Sequence, residues 1–375
     1  MQYIEFGATG ARVSRLGFGC MRLPLKEKEG KRASDADGAA AMLRKGYELG
    51  VNYFDTAYMY HGGNSERILG TALRDVRDKV FISTKSPGHK VKKPGDYRRI
   101  LEEQLQRLDM PYIDFYHFHG ISYDDFREID KKAGWLADAH KAKDEGLIRY
   151  ISFSFHGEPG DIEKLTDMGC FDSLLCQYNV LDRSNEEGMA YARQKGLGVA
   201  VMGPLGGGRI SGLPKETAEK LGVRAVASAE LGLRFVATNP NVDIILSGMS
   251  SETQLVENVE YLSRITPLTG KEISDIAKMV EEKRSLAKLY CTGCNYCMPC
   301  PQDVNIPYIF EMANYYKVYS VPEYAREGYA SIGGEWIPGK RAGACTECGE
   351  CETKCPQKIK IMEQLKESHS LLCNP

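Results

Sequence analysis

Nine of the twelve cysteines lie in the last 85 residues, and eight of those form two tight groups. The first group is Cys291-x2-Cys294-x2-Cys297-x2-Cys300-Pro301, and the second is Cys345-x2-Cys348-x2-Cys351-x3-Cys355-Pro356. The second matches the C-x2-C-x2-C-x3-C-P run that binds a 4Fe–4S cluster, in which the fourth Cys ligates the neighbouring cluster. The first group is one residue short before its last Cys. The spacing therefore assigns Cys291, Cys294, Cys297 and Cys355 to one cluster, and Cys345, Cys348, Cys351 and Cys300 to a second. Two zinc sites, each held by four cysteines, are the competing reading. Zinc uses two C-x2-C pairs per ion, however, and gives no role to a third Cys at the same spacing in both groups.

A second constellation lies earlier in the chain. Asp55-Thr-Ala-Tyr-Met-Tyr60, Lys85 after Phe-Ile-Ser-Thr, and His119 after Phe-Tyr-His-Phe each follow a short apolar run. A carboxylate, a phenol, an amine and an imidazole on one rim make a proton-donating site for carbonyl reduction. An ammonium beside the phenol is expected to lower its pKa from about 10, and the carboxylate holds the ammonium. His119 is then placed to hydrogen-bond a carbonyl oxygen. Taken singly, Asp55 reads as a helix cap, Tyr60 as a loop aromatic, and His117 or His119 as core residues. Lys85 reads as a surface charge, although a Lys closing an apolar strand is uncommon.

The elements that must position these groups follow from eight strand-length apolar runs: Leu16–Cys20, Asn52–Asp55, Val80–Thr84, Ile113–Phe118, Ile148–Phe153, Ser173–Gln177, Gly198–Met202 and Asp243–Leu246. Their β-branched and aromatic content reads as buried parallel strands. Helix-length segments lie between them, at 35–49, 65–73, 97–108, 185–195 and 223–236, with stops at Gly50, Gly146, Gly169 and Gly196. This predicts a (β/α)8 barrel with an N-terminal hairpin over residues 1–13 closing its bottom. An open doubly wound sheet is the alternative, but no G-x-G-x-x-G follows any strand. A helix over 271–289 leads into the tail, where 306–319 and 322–330 also read as helical. The domains are thus residues 1–270, the barrel, and 271–375, a helical linker and a mostly α-helical ferredoxin-like iron–sulfur domain.

Composition excludes several classes. Hydrophobic residues are 42% of the 375, enough for a large core. Net charge is −2, with 49 Lys+Arg against 51 Asp+Glu, so no basic excess points to nucleic acid or membrane. No run of 18 apolar residues appears, and the start lacks a signal-peptide pattern. A cytoplasmic, reducing compartment is the expectation, and there cysteines serve as ligands or free thiols. Cys20, Cys170, Cys176 and Cys373 read as small buried or terminal residues.

Asp55-Thr-Ala-x-x-Tyr60-x-x-Gly63-x-Ser65-Glu66-x-x-Leu69-Gly70 resembles the main signature of the aldo/keto reductase family. Ser83-Thr-Lys85 and Asp114-Phe-Tyr-His-Phe-His119 are similar to its lysine and histidine motifs. The resemblance covers about residues 1–265, and with the tail the chain looks like the ferredoxin-bearing branch of that family. It implies Tyr60 as acid/base, Asp55 and Lys85 as its tuning pair, and His119 as orienter. It also implies NAD(H) or NADP(H) held across the barrel mouth without a Rossmann fold. Carried over residue by residue, Ser154 and Gln177 would bond the nicotinamide carboxamide, and Leu205, Gly206 and Gly208 would form the pyrophosphate loop. Gly248, Gln254 and the Glu257-Asn258 pair match the adenine end. Phe155 and Met202-Gly203 depart from the family pattern beside the nicotinamide. Gln254 and Gly248 stand where a Lys or Arg usually grips a 2′-phosphate, so NADH is expected to bind at least as well as NADPH.

The function expected is NAD(P)(H)-dependent reduction of a carbonyl, or oxidation of an alcohol, with clusters exchanging electrons with a protein partner. A hydride carries two electrons and a cluster moves one, so a flavin or a partner must split the pair, and no motif indicates a flavin. One alternative is a purely structural or docking cluster domain. Another is a non-catalytic, redox-sensing barrel, against which the intact Asp55/Tyr60/Lys85/His119 set argues. The substrate is not legible. The segments expected to contact it are Lys26–Arg32, Ser86–Gly95, Gly120–Phe126 and the tail.

Overall fold

Each of the eight apolar runs is a strand in the computed structural model, which describes residues 1–28, 31–158, 160–180, 182–205, 228–274, 291, 297–317, 322–334, 337–355 and 359–373. Gly206, Gly208 and Cys294, and the expected helical stretch 275–289, lie outside the described residues. The described residues fall into two compact units, Met1–Gly207 with Ala229–Leu268, and the tail from Thr269.

In the first unit, β1 (Tyr3–Glu5) and β2 (Arg12–Ser14) form the antiparallel hairpin expected at the N-terminus. The eight barrel strands are β3 (Leu16–Gly19), β6 (Tyr53–Asp55), β7 (Phe81–Pro87), β8 (Ile113–Ile121), β9 (Ile148–Phe155), β10 (Ser173–Gln177), β11 (Gly198–Met202) and β12 (Ile244–Gly248). They pair in parallel in the order β3-β6-β7-β8-β9-β10-β11-β12, and β12 closes on β3. Phe6, from the hairpin turn, plugs the floor against Tyr53, Phe115, Leu175, Ala200 and Ile244. These side chains come from alternate positions of different strands, the layered filling that makes such a barrel a packed core.

Strands β7, β8 and β9 run two or more residues further than the apolar runs, so Lys85 and His119 lie within strands rather than after them. The helices follow the expectation closely: Ala36–Glu48, Ser65–Leu73, Asp96–Leu108 and Glu186–Gln194. Gly50, Gly146, Gly169 and Gly196 all have positive φ at helix ends. An unexpected hairpin pairs β4 (Leu25–Lys28) with β5 (Lys31–Ser34) shortly after the first barrel strand. Gly70 marks the tightest helix contact, since a Cβ there would lie 2.1 Å from the Leu108 carbonyl oxygen. Helix Ser65–Leu73, which follows Tyr60, is thereby pressed against helix Asp96–Leu108.

The tail holds helices Ile306–Lys317, Pro322–Ala330 and Ile361–Cys373, packed through Ile309, Phe310, Ala313, Ala325, Tyr329 and Leu365. Among the described residues no helix is long and apolar enough to cross a membrane.

Candidate active site and cysteine cavity

Asp55 ends β6, and the pairing of β6 with β7 sets it opposite Ser83, two residues before Lys85. Both Asp55 and Lys85 are buried, at 4% and 1% exposure. Lys85 Nζ donates to Asp55 Oδ2 and to the Thr56 carbonyl, each at 2.6 Å, and Ser83 Oγ donates to Asp55 Oδ1 at 2.7 Å. A buried charge pair persists only when its remaining hydrogen-bonding capacity is satisfied, and here Thr56 and Ser83 satisfy it. Burial alone would discharge Lys85, but Asp55 and Tyr60 outweigh it and hold the ammonium above its ordinary pKa.

Tyr60 stands at the start of a 3-10 turn over this pair. Lys85 Nζ is 5.1 Å from its ring centroid, and the His119 ring meets it edge-to-face at 6.5 Å. The four expected groups therefore converge. The expected sign of the phenol shift does not hold, because burial pushes Tyr60 above its ordinary value and the Lys85 charge opposes this without prevailing. A protein interior disfavours phenolate more than one already paired ammonium favours it. His119 is pulled down to about 3, by burial and then by Lys85 and neighbouring His156, so its imidazole is neutral.

Behind the rim lies a network that sequence reasoning missed. Glu66 Oε1 accepts from Thr84 Oγ1 at 2.8 Å and from Gln104 Nε2 at 2.5 Å, and Arg107 pairs with Glu66 Oε2 at 3.3 Å. Gln104 also donates to the Lys85 carbonyl and accepts from Tyr116 Oη. Burial raises the Glu66 carboxyl, opposed by these donors. The readable signal was a Gln on the apolar stripe Ile100, Leu101, Leu108.

The residues expected to hold a nucleotide are partly assembled. Ser154 on β9 accepts from Gly120 N at 2.7 Å, which leaves its hydroxyl proton free to donate. Gln177 ends β10 with its carboxamide against bare Gly203, whose φ is +62° and where a Cβ would lie 2.4 Å from Gln177 Oε1. An amide and a hydroxyl on adjacent strand ends suit a carboxamide ligand. Leu205 lies just beyond β11, at the last described residue before the glycines. At the far end, Gln254 Oε1 accepts from Ser250 N at 2.9 Å, and Asn258 is turned inward, donating to Ser247 Oγ at 3.0 Å. The Arg22 stem crosses Gly248, 3.2–3.4 Å from where a Cβ would stand. A cation from the first loop thus reaches a place where the local sequence showed none.

In the tail, Cys300, Cys345, Cys348 and Cys351 line one cavity, with Ile306, Met362 and Leu365 as apolar wall. This is the set assigned to the second cluster, and it brings Cys300 across 44 residues of chain. Cys297 also touches the cavity, while Cys355 is buried outside it. Several cysteines lining one cavity suit a multi-iron cluster, in which each iron takes its own thiolate. Cys291 is described and partly buried.

Comparison with known proteins gives the same two parts. The family described as "Aldo/keto reductase family" matches residues 15–281, and "4Fe-4S dicluster domain" matches 290–360. L-galactose dehydrogenase of Arabidopsis thaliana is 30% identical over 75% of this chain and 94% of its own. A probable voltage-gated potassium channel subunit beta of Oryza sativa is 27% identical over 77% of this chain and all of its own. An aldo-keto reductase from Bacillus halodurans in its holo form superposes with a TM-score of 0.61 at 27% identity, covering 74% of this chain and 96% of its own.

Proposed function

The chain belongs to the aldo/keto reductase family, and from that premise we propose that its barrel reduces a carbonyl, or oxidises an alcohol, with NAD(H) or NADP(H). The observation that carries this reading is the buried Lys85–Asp55 pair beneath Tyr60, with neutral His119 at its edge. A bound reduced nicotinamide supplies the hydride. Tyr60 Oη gives its proton to the carbonyl oxygen, and Lys85 stabilises the phenolate left behind. Asp55 keeps Lys85 charged and in place. His119 donates a hydrogen bond that orients the carbonyl. Burial holds the Tyr60 phenol above its ordinary value, so at neutral pH Tyr60 Oη carries the proton that carbonyl reduction consumes. Ser154, Gln177, Leu205, Gly206, Gly208, Gly248, Gln254 and Asn258 are the proposed nucleotide contacts. Asn258 acts through Ser247, given its inward turn.

The tail, residues 271–375, is proposed to hold two 4Fe–4S clusters with the crossed ligand sets given above and to exchange electrons with a protein partner. The barrel domain spans 1–270. The name of the plant relative makes polyhydroxylated aldehydes and lactols the first substrate panel to assay. The test is to purify the protein anaerobically, identify its nucleotide and titrate NADH and NADPH by fluorescence. Binding of neither nucleotide sinks the reading. A tenfold preference for NADPH, about 1.4 kcal/mol, would assign the 2′-phosphate to a cation such as Arg22 rather than to the helix at Gln254.

A further inference from the structure

The residue after Tyr60 has chemistry that this reading leaves unused. His61 lies in the left-handed region, φ 54° and ψ 39°, an uncommon conformation for a side chain of this size. Both of its ring nitrogens are engaged. The Leu23 N–H donates to Nε2 at 3.2 Å, and Nδ1 lies 3.0 Å from Ser34 Oγ. An amide N–H can only donate, so Nε2 accepts, and the ring proton must sit on Nδ1 and be given to Ser34 Oγ. These partners are the two feet of the β4–β5 hairpin. Leu25 pairs with Ser34, and Asp35 N donates to the Pro24 carbonyl at 3.0 Å. The hairpin leaves the end of β3, which pairs with β6 where Gly19 meets Asp55.

We infer that His61 is a positioning residue, a neutral latch that ties both feet of hairpin Leu25–Ser34 to the backbone carrying Tyr60, so that the seating of the hairpin and the placement of the phenol are coupled. Burial keeps the ring below its ordinary pKa, as a neutral ring requires, although the Met21 carbonyl, an acceptor for a ring N–H, opposes it. The coupling has a direct consequence. A phenol displaced by an ångström loses much of its rate, since such misplacement can cost about a hundredfold. The kinetic part of this inference rests on the proposed carbonyl chemistry, and the structural part does not.

The test uses the full, cluster-loaded chain with His61→Leu, His61→Gln and Ser34→Ala. Gln keeps an acceptor within reach of the Leu23 N–H and cannot protonate. For His61→Leu, amide exchange across residues 23–35 should quicken about tenfold. Its kcat with 4-nitrobenzaldehyde at saturating reduced nicotinamide should fall about tenfold or more, KM changing less. Nucleotide binding by fluorescence should stay within about twofold of the unaltered chain. His61→Gln should restore protection at Leu23 and recover a large part of kcat. Unchanged exchange in His61→Leu overturns the latch. Quickened exchange with kcat unchanged overturns the coupling, and so does a Gln variant indistinguishable from Leu. If His61→Leu fails to fold, Ser34→Ala removes only the Nδ1 partner and should give an intermediate loosening, and unchanged exchange in that variant counts against the latch. If the unaltered chain reduces no aldehyde, the carbonyl reading fails, and the exchange measurement still decides the latch.

Discussion

The proton that the barrel is proposed to deliver sits on one phenol, and two neighbouring charges decide when it leaves. Replacing Tyr60 with Phe removes the proton and leaves the Lys85–Asp55 pair and its Thr56 and Ser83 bonds standing. Carbonyl reduction should drop by about 10²–10⁴-fold with nucleotide affinity near normal, and full turnover in that variant would refute the assignment. His117, and His119 beside its proposed orienting role, also bear on stability. Burial, reinforced by the Lys85 charge, pulls both down to about 3. An unfolded His titrates near 6.5, so below that pH the unfolded chain binds more protons than the folded one. Their contribution is complete above pH 6.5 and is lost as pH falls toward 3. The thermal midpoint should hold from pH 8 to about 7 and decline below about 6.5, and His117→Leu should flatten part of that decline. The motif spacing made the four rim residues legible. The sign of the Tyr60 shift was not, because it is set by how completely the rim is covered. His61 was equally hidden, since its two partners lie 27 and 38 residues away.

Elements were legible where burial leaves a periodic trace. Strands covered on both faces must be apolar throughout, so all eight barrel strands show in the sequence. The β4–β5 hairpin does not, because Lys26-Glu27-Lys28 and Lys31-Arg32 have no apolar alternation and its seat on His61 is tertiary. The cysteine groups are a special case, in which ligand spacing announces the site and the tail helices only bring the groups together. Cys300 lines the same cavity as Cys345, Cys348 and Cys351, and so does Cys297 of its own group. On the proposed crossed ligand sets, Cys300→Ser should damage the cluster of the second group, and Cys355→Ser that of the first. Reconstituted protein should hold about eight irons, and each variant about four, assigned by paramagnetic resonance. In the proposed crossed arrangement each cluster would tie segments 44 residues apart, so either loss should loosen the whole tail in proteolysis. Damage confined to a variant's own group would refute the crossed arrangement.

At the scale of the molecule the question is how a two-electron site and one-electron centres share a chain. The proposed proton-delivery set is complete within the first unit: Asp55, Tyr60, Lys85 and His119, with the bonds that orient them, all come from strands and turns before residue 120. The cysteine cavity is likewise built within the tail, from residues after 296. Hydride transfer to a carbonyl moves both electrons at once and has no need of a cluster, whereas delivery to a one-electron acceptor requires the pair to be split. Stripping the iron by anaerobic chelation should therefore leave reduced-nicotinamide binding unaltered and carbonyl reduction within about twofold, while abolishing one-electron transfer to the chain from a chemically reduced viologen dye, whose bleaching reads the electrons taken up. If carbonyl reduction falls with the iron, the clusters take part in barrel chemistry itself. If the reduced dye bleaches equally well without iron, or not at all with it, their role is docking, and the electron exchange proposed for the tail is wrong.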